Sequence, residues 1–268
     1  MPKLTKGLSW LTDVTRVLVL DRFNGGRKHN AELASTACRT LGFHSRAKIP
    51  SQPLGRLLTL LGAPPVEQVT LPGPYNDLGD VGSQTGYHTL GSLVRALQPK
   101  SILEFGTYLG VSAHTMALNA TADCKIYTVD LPDDASAEAV PELNAIDQRH
   151  IHKSRSRVGE AFLRSSTNDR VTQIRADSMT FRAEEKLADV DLVYVDGGHS
   201  LPVVTKDTEN AFRVLAPRGT IVWDDYFHLY PDVVQYLDGL RAKFPLRVIA
   251  GTNFVIYSRR FPDPMPIA

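Results

Sequence analysis

The chain has 268 residues, of which 43% are hydrophobic and 22% are charged, and its formal net charge is +1. This length fits one large domain, or one domain with an extension, and these proportions are typical of globular proteins. The balanced charge argues for no polyanionic partner, so we expect no nucleic-acid partner. No apolar run approaches the roughly 20 residues that a membrane span needs, and we expect no membrane partner.

The first 80 residues lack the strand and helix alternation of the remainder. Short amphipathic helices are predicted at residues 11–20, 31–41 and 54–61. Residues 1–56 hold ten Lys and Arg against three Asp and Glu. This excess favours a solvated helical face or a subunit contact over an anionic partner. We expect residues 1–80 to form an N-terminal helical extension or lid, and the protein to be a homo-oligomer, most simply a dimer.

Two cysteines, Cys38 and Cys124, are far apart in sequence and fit no metal or redox spacing. Free buried thiols in a reducing compartment are the expected state. The apolar run Val17–Leu20 is too short for the core of a signal peptide. We therefore expect a cytoplasmic location.

Residues 64–91 are rich in Gly, Pro, Asn, Asp and Gln, which predicts a long ordered loop that could cover a pocket. From residue 92 onward, strand patterns alternate with helix patterns. Strands are predicted at residues 101–105, 125–129, 170–175, 191–195, 219–223, 246–250 and 253–257. Helices are predicted at residues 111–120, 139–166, 202–215 and 231–244.

This alternation predicts an α/β fold of the Rossmann-like, doubly wound type. We expect a mostly parallel, seven-stranded sheet with an antiparallel C-terminal hairpin strand, since a tight turn cannot join parallel strands. The predicted domain covers residues 81–268 and follows the extension of residues 1–80.

Glycines lie at the turn that follows the strand at 101–105, in the sequence Glu104-Phe-Gly-Thr-Tyr-Leu-Gly110. Glycine lets the backbone approach a ligand without a Cβ in the way. Asp130 ends the next strand, where a carboxylate can accept hydrogen bonds from both ribose hydroxyls. The turn lacks Gly-x-Gly-x-x-Gly, so it favours a nucleoside over a dinucleotide and argues against a nicotinamide dehydrogenase. A tight turn with a solvated Asp explains the motif equally well by itself.

Three carboxylates end two later strands: Asp196 follows one, and Asp224 and Asp225 follow the other. If the strands are neighbours, about 4.8 Å apart, the three can reach one cation. Such a hard oxygen site suits Mg²⁺, Mn²⁺ or Ca²⁺ rather than zinc. Helix N-capping could explain Asp196 or Asp224 separately, but it explains the tandem pair poorly. His199 lies three residues from Asp196 and could be a general base or a packing residue.

These motifs together resemble those of class I S-adenosylmethionine-dependent methyltransferases. The turn at 104–110 followed by Asp130 is similar to their cofactor-binding turn. The sequence Asp196-Gly-Gly-His-Ser200 with Asp224-Asp225 resembles the metal-dependent O-methyltransferases, most closely those that methylate sugar hydroxyls of macrolide and aminocoumarin antibiotics. The resemblance covers residues 92–258, and residues 1–80 carry no motif of the family.

The resemblance implies roles for individual residues. Those expected at the cofactor are Glu104, Gly106, Thr107, Tyr108, Gly110, Ser112, Asp130, Asp177, Ser178 and Asp196. Among these, Asp130 would hold the ribose and the pair Asp177-Ser178 would face the adenine. Asp196, Asp224 and Asp225 would bind the divalent metal, most simply Mg²⁺, and His199 would be the catalytic base.

The resulting hypothesis is a metal-dependent O-methyltransferase that uses S-adenosylmethionine to methylate a hydroxyl of a small molecule, a sugar or polyol, in natural-product biosynthesis. A metal-independent or N-directed methyltransferase acting on RNA or a small molecule is one alternative. Such enzymes usually carry Asn/Asp-Pro-Pro-aromatic after the fourth strand, where this chain has Asp196-Gly-Gly-His199. A non-catalytic S-adenosylmethionine-binding protein is the other alternative.

Overall fold

The structure, a computed structural model, describes residues 48–73, 81–132, 135, 145–154 and 156–262. The helices predicted at 11–20 and 31–41 lie outside these residues, as does Cys38. None of the helices in the described ranges combines the length and apolar character of a membrane span. The thiol of Cys124 is free and buried.

The fold is built on one eight-stranded sheet with the strand order β1-β7-β8-β6-β5-β2-β3-β4. The strands are β1 (Ser51–Gln52), β2 (Ser101–Phe105), β3 (Lys125–Asp130), β4 (Val171–Arg175), β5 (Val190–Val195), β6 (Leu215–Trp223), β7 (Arg247–Ile249) and β8 (Val255–Ser258). Only β8 runs antiparallel to its two neighbours, β6 and β7. The Rossmann-like, mostly parallel α/β fold with an antiparallel C-terminal hairpin strand is confirmed.

Helices cover both faces of this sheet. They are α1 (Leu54–Leu60), α2 (Val81–Leu97), α3 (Val111–Asn119), α4 (Ala145–Ser154), α5 (Glu160–Leu163), α6 (Leu201–Val214) and α7 (Pro231–Leu240). One apolar cluster packs α1, α2 and α3 against one face, and a second packs α6 and α7 against the other. Central strands β2 and β5 are buried almost throughout, as expected of parallel strands covered on both sides.

Part of the segment predicted as a loop is helical. Residues 81–97 form α2, and two of its glycines, Gly86 and Gly91, lie close to other side chains. A Cβ at Gly91 would lie 2.6 Å from Val69 and 2.9 Å from the Asn119 amide. Glycine lowers helix propensity by about 1 kcal/mol, but tertiary packing overrides that preference here. The loop prediction is therefore wrong from residue 81 onward.

Two further predictions differ in detail from the structure. The helical prediction for 139–166 is interrupted, since α4 and α5 are separated by Gly159 with φ of +80°. The eighth strand, β1, pairs in parallel with β7 and was not predicted because two residues carry no periodicity. Residues 48–60 thus contribute strand β1 to the sheet and helix α1 to the layer that covers one face of it, although they fall within the predicted extension. The boundary at residue 80 stays a prediction.

Candidate active site

The carboxyl ends of five adjacent strands meet at one edge of the sheet, above a cavity of about 340 Å³. Each strand end continues the hydrogen-bonded ladder by one residue. The Gly106 amide donates to the Val129 carbonyl (2.9 Å), and the Asp196 amide donates to the Phe105 carbonyl (2.9 Å). This edge is where open α/β sheets bind ligands.

Gly106 is the residue at which the turn after β2 meets the end of β5. Its φ is +93°, and a Cβ there would lie 1.9 Å from the backbone oxygen of Asp196. Only glycine fits both the positive φ and this contact. Gly106 lines the cavity, as does Tyr108, which also has a positive φ of 46°. The turn therefore presents bare backbone to a ligand, which the sequence predicts for the methionine part of the cofactor.

Asp130 ends β3 and faces the same turn. Its Oδ2 accepts hydrogen bonds from the amides of Thr107 (3.0 Å) and Tyr108 (2.8 Å), and its Oδ1 accepts one from the Leu131 amide. Burial raises the pKa of Asp130, while these three amides lower it. The carboxylate lines the cavity and is fixed in orientation, so it can accept further hydrogen bonds from a ligand.

Glu104 does not line the cavity but supports the turn through Thr128. The Thr128 hydroxyl donates to its Oε2 (2.5 Å) and is itself bonded to the Thr107 hydroxyl (2.7 Å). Burial raises the pKa of Glu104 to about 7, although hydrogen bonds from Ser112 and Thr128 lower it. The Oε1 atom has no hydrogen-bond partner in the described structure.

Gly110 has a different role from Gly106. A Cβ there would lie 2.7 Å from the Phe162 ring and 2.9 Å from Gly159, so this glycine permits packing against α5. Thr107, Gly110 and Ser112 are not among the residues that line the cavity. At the end of β4, Asp177 and Ser178 do line it, and Asp177 Oδ1 accepts the Met179 amide (2.9 Å).

The structure confirms that the two carboxylate-bearing strands are neighbours, since Val195 of β5 pairs with Trp223 of β6. Ligand atoms of Asp196, Asp225 and His199 lie within 4.8 Å of one another. Asp224 directly follows β6. Its Oδ2 accepts a hydrogen bond from the Tyr194 hydroxyl (2.6 Å), and its Oδ1 accepts one from the Asp225 amide (2.6 Å). In the described structure the group that could hold a cation is thus Asp196, Asp225 and His199, while both oxygens of the predicted ligand Asp224 accept hydrogen bonds within the protein.

These carboxyl groups repel one another. Burial, followed by the charges of Asp224 and Asp225, raises the pKa of Asp196 well above its ordinary value. Burial and Asp225 raise the pKa of Asp224 to about 7. Clustered carboxylates with raised pKa values are a group that a cation would stabilise, so the residues fit a divalent metal. Asp225 also adopts a positive φ of 62°, a conformation that Asp tolerates better than most residues.

His199 is held between two carboxylates, one of which the sequence did not indicate. Its Nδ1 contacts Asp147 Oδ1, its backbone amide donates to Asp147 Oδ2 (3.0 Å), and its Nε2 contacts Asp225 Oδ2 (2.6 Å). Burial lowers the pKa of His199, but Asp225 and Asp147 outweigh it and raise the pKa to about 11. The Tyr230 ring stacks on the imidazole with centroids 4.1 Å apart.

Asp147 lies on α4 and is only 4% exposed. The signal that could have indicated it is its position as the single acidic residue of the basic segment 145–157. A carboxylate on Nδ1 fixes the ring orientation and the tautomer of a histidine.

The sequence of residues 103–226 matches the family model of a methyltransferase domain. This stretch, just under half of the chain, is similar to a methyltransferase domain. The matched residues run from within β2 to Tyr226 and therefore contain every predicted site residue, from Glu104 to Asp225. The match supports the predicted methyltransferase family and the expectation of an enzyme. A comparison with curated proteins gives no match.

Solved structures of methyltransferases are similar to this chain over most of its length. The SAH-bound methyltransferase PaMTH1 of Podospora anserina is 18% identical, with a TM-score of 0.50 over 87% of this chain and 96% of that one. The O-methyltransferase TomG of Streptomyces achromogenes, involved in tomaymycin synthesis and solved with SAM, is 16% identical, with a TM-score of 0.47 over 85% and 97%. An O-methyltransferase of Bacillus cereus in complex with SAH is 18% identical, with a TM-score of 0.46 over 84% and 97%.

Proposed function

We propose that this methyltransferase transfers the methyl group of S-adenosylmethionine to a hydroxyl of a small molecule, a sugar or polyol, with the help of a divalent metal. The observation that carries this proposal is the convergence of Asp196, Asp225 and His199 beside the cofactor turn. An alcohol needs both a Lewis acid and a base to become a nucleophile, and this cluster offers residues suited to both.

Asp196 and Asp225 would hold the metal, with Asp224 as the predicted third ligand. When bound, the cation would lower the pKa of a coordinated hydroxyl, and S-adenosylmethionine would supply an electrophilic methyl group. Gly106 and Asp130 would orient that cofactor along the sheet edge. The proximity of the two sites, joined where Gly106 contacts Asp196, would bring acceptor oxygen and methyl carbon together.

His199 would take the hydroxyl proton at Nε2. Asp147 accepts from both the His199 backbone amide and Nδ1, so it leaves Nε2 as the atom that can accept a proton. The negative charges of Asp225 and Asp147 raise the pKa of His199. A divalent cation would offset this charge and so lower the pKa of His199 toward neutrality, where a general base works best. Asp147 would therefore be a positioning residue for the base.

Metal-dependent turnover is the first expected result. Purified protein should methylate a sugar or polyol hydroxyl in a panel that also contains catechols and amines, and EDTA should abolish this activity until Mg²⁺ is restored. Asp224→Ala should lose nearly all turnover, and His199→Ala should lower kcat by about 100-fold or more while metal affinity changes less. The exposed Asp123→Asn is a matched control that should retain wild-type rates.

Opposite results would support the alternatives. Turnover that survives EDTA, or that falls on amines or RNA, would favour the metal-independent, N-directed enzyme. Binding of S-adenosylhomocysteine without transfer to any acceptor would favour a non-catalytic binding protein. We further propose a role in natural-product biosynthesis, a cytoplasmic location and a homodimer, on the sequence motifs given above; size-exclusion chromatography with light scattering tests the last.

A further inference from the structure

A buried tyrosine has no role in the mechanism above, although its hydroxyl is directed at the carboxyl cluster. Tyr194 lies on β5 and is 2% exposed, in a strand whose other buried side chains are apolar. Its hydroxyl donates a hydrogen bond to Asp224 Oδ2 (2.6 Å). A buried hydroxyl is costly unless it is hydrogen-bonded, and a phenylalanine would fill this position without that requirement. The hydroxyl therefore needs an explanation that packing does not give.

The register of β5 and β6 places Tyr194 and Asp224 on the same face of the sheet. Tyr194 pairs with Val222, and Asp224 follows two residues later, so its side chain points to the same side. The Asp224 amide donates to the Val195 carbonyl (3.0 Å), which continues the ladder through this residue. The Phe254 ring packs edge-on against Tyr194, with centroids 5.7 Å apart and an interplanar angle of 73°. The register and this ring contact together fix the direction of the hydroxyl.

Asp224 transmits this constraint to Asp225. Its Oδ1 accepts the backbone amide of Asp225 (2.6 Å), so the two oxygens of one carboxyl group connect the Tyr194 hydroxyl to the chain at the next residue. Asp225 has a φ of +62°, a left-handed conformation that costs free energy in a residue other than glycine. In this conformation Asp225 Oδ2 contacts His199 Nε2 (2.6 Å) and belongs to the group that could hold a cation.

We propose that Tyr194 is a positioning residue for the metal: by holding Asp224 it fixes the backbone of Asp225 and thereby the place of the Asp225 carboxylate. This proposal rests on the divalent metal of the proposed function. Tyr194 is not among the residues that line the cavity in the described structure, so it would contact neither the cation nor an acceptor. Its effect would pass through hydrogen bonds, in the way that residues behind metal ligands orient them.

The test measures the binding of Mn²⁺ alone and of S-adenosylhomocysteine alone by calorimetry. Mn²⁺ prefers the same carboxylate ligands as Mg²⁺. Tyr194→Phe keeps the ring and removes the hydroxyl, and it should weaken Mn²⁺ binding by about tenfold or more, as loss of a residue that orients a metal ligand does. The affinity for S-adenosylhomocysteine should stay unchanged. At saturating metal, kcat of this variant should stay within about twofold of wild type, because the substitution acts on metal binding.

Tyr226→Phe is the matched control. Tyr226 is also buried, and its hydroxyl also donates to an aspartate, Asp238 Oδ1, at 2.6 Å. Tyr226 and Asp238 are not among the residues that line the cavity in the part of the chain that the structure describes. Both variants lose a tyrosine–carboxylate hydrogen bond, but only Tyr194→Phe should weaken Mn²⁺ binding.

Several results would overturn the positioning role. Unchanged Mn²⁺ affinity in Tyr194→Phe would refute it while leaving the proposed function intact, and so would equal weakening of Mn²⁺ binding in both tyrosine variants. Failure of the wild type to bind Mn²⁺ would refute the divalent metal of the proposed function as well. If Tyr194→Phe does not fold, a crystal structure of the wild type with Mn²⁺ decides. The Tyr194 hydroxyl must then lie within about 3 Å of an Asp224 oxygen, and φ of Asp225 must be positive.

Discussion

The two halves of the active-site edge satisfy their carboxylates in opposite ways. At the β2–β3 half, Asp130 accepts three backbone amides and Glu104 accepts a threonine hydroxyl. At the β5–β6 half, Asp196, Asp224 and Asp225 face one another, and the charges of Asp224 and Asp225 raise the pKa of Asp196 further. In the first half neutral donors bind every carboxylate oxygen named here except Glu104 Oε1, whereas in the second half the positive charge of His199 lowers the pKa values of carboxyl groups that otherwise repel one another.

We interpret this difference as a division of roles: the first half is suited to positioning a ligand, and the second half is suited to the chemical step. Neutral donors hold a carboxylate in one orientation at little cost, which suits recognition of a neutral ribose. Crowded carboxylates are stable together only with a cation or with protons, which suits a site whose occupant changes the reactivity of an acceptor. Substitutions at the junction of the two halves, and substitutions in one half alone, test this division of roles.

The junction at Gly106 should give the largest effect. Gly106→Ala places a Cβ against the Asp196 carbonyl at a positive φ and should lower the free energy of unfolding by roughly 2–5 kcal/mol. Urea denaturation measures this change. Gly239→Ala is the matched control, since nothing lies within 4 Å of a Cβ there, and it should raise stability by about 0.5–1 kcal/mol. Equal effects at the two glycines would contradict the contact.

A smaller effect, dependent on pH, is expected at Glu104. Burial raises its folded pKa to about 7 from an ordinary value of 4.5, so the folded state binds the proton more tightly. The free energy of unfolding of the wild type therefore falls as pH rises from 4.5 to 7, because the unfolded state releases this proton before the folded state does. Glutamine cannot ionise, so Glu104→Gln removes this fall in stability. The variant should gain roughly 1–3 kcal/mol relative to wild type across this window. Chemical denaturation at pH 5 and pH 8 measures the gain, and a constant difference would refute it.

The smallest effects should separate the halves by ligand. Asp130→Ala should weaken S-adenosylhomocysteine by about tenfold, as loss of a buried acceptor predicts, and leave Mg²⁺ affinity unchanged. Asp225→Ala should do the reverse. Calorimetry with each ligand alone measures both. A variant in either half that weakens both ligands alike would show that the two halves act as one unit.

Much of this arrangement is predictable from sequence because strand ends are local features. The apolar runs that end at Asp130, Asp196 and Asp224 carry both the strand and its terminal carboxylate, and parallel pairing then brings the ends to one edge. The same logic predicts the C-terminal hairpin from a two-residue turn.

The remaining features depend on packing between distant segments. Asp147 and Asp207 are placed by helices, and nothing in their own neighbourhood indicates which helix face lies against the cavity. Gly91 of α2 lies close to Val69 and Asn119, a contact that composition does not reveal, so the composition of this segment wrongly predicted a loop. The turn glycines also differ in purpose, since Gly110 accommodates Phe162 while Gly106 accommodates Asp196.

The helix that begins beside His199 is also the one that carries Asp207. Six residues separate Leu201 from Asp207 and rise about 9 Å along the helix, so α6 fixes the distance between the loop that holds His199 and the buried carboxyl group of Asp207. A substitution that shifts α6 along its axis would therefore move the His199 loop and the Asp207 carboxyl group together.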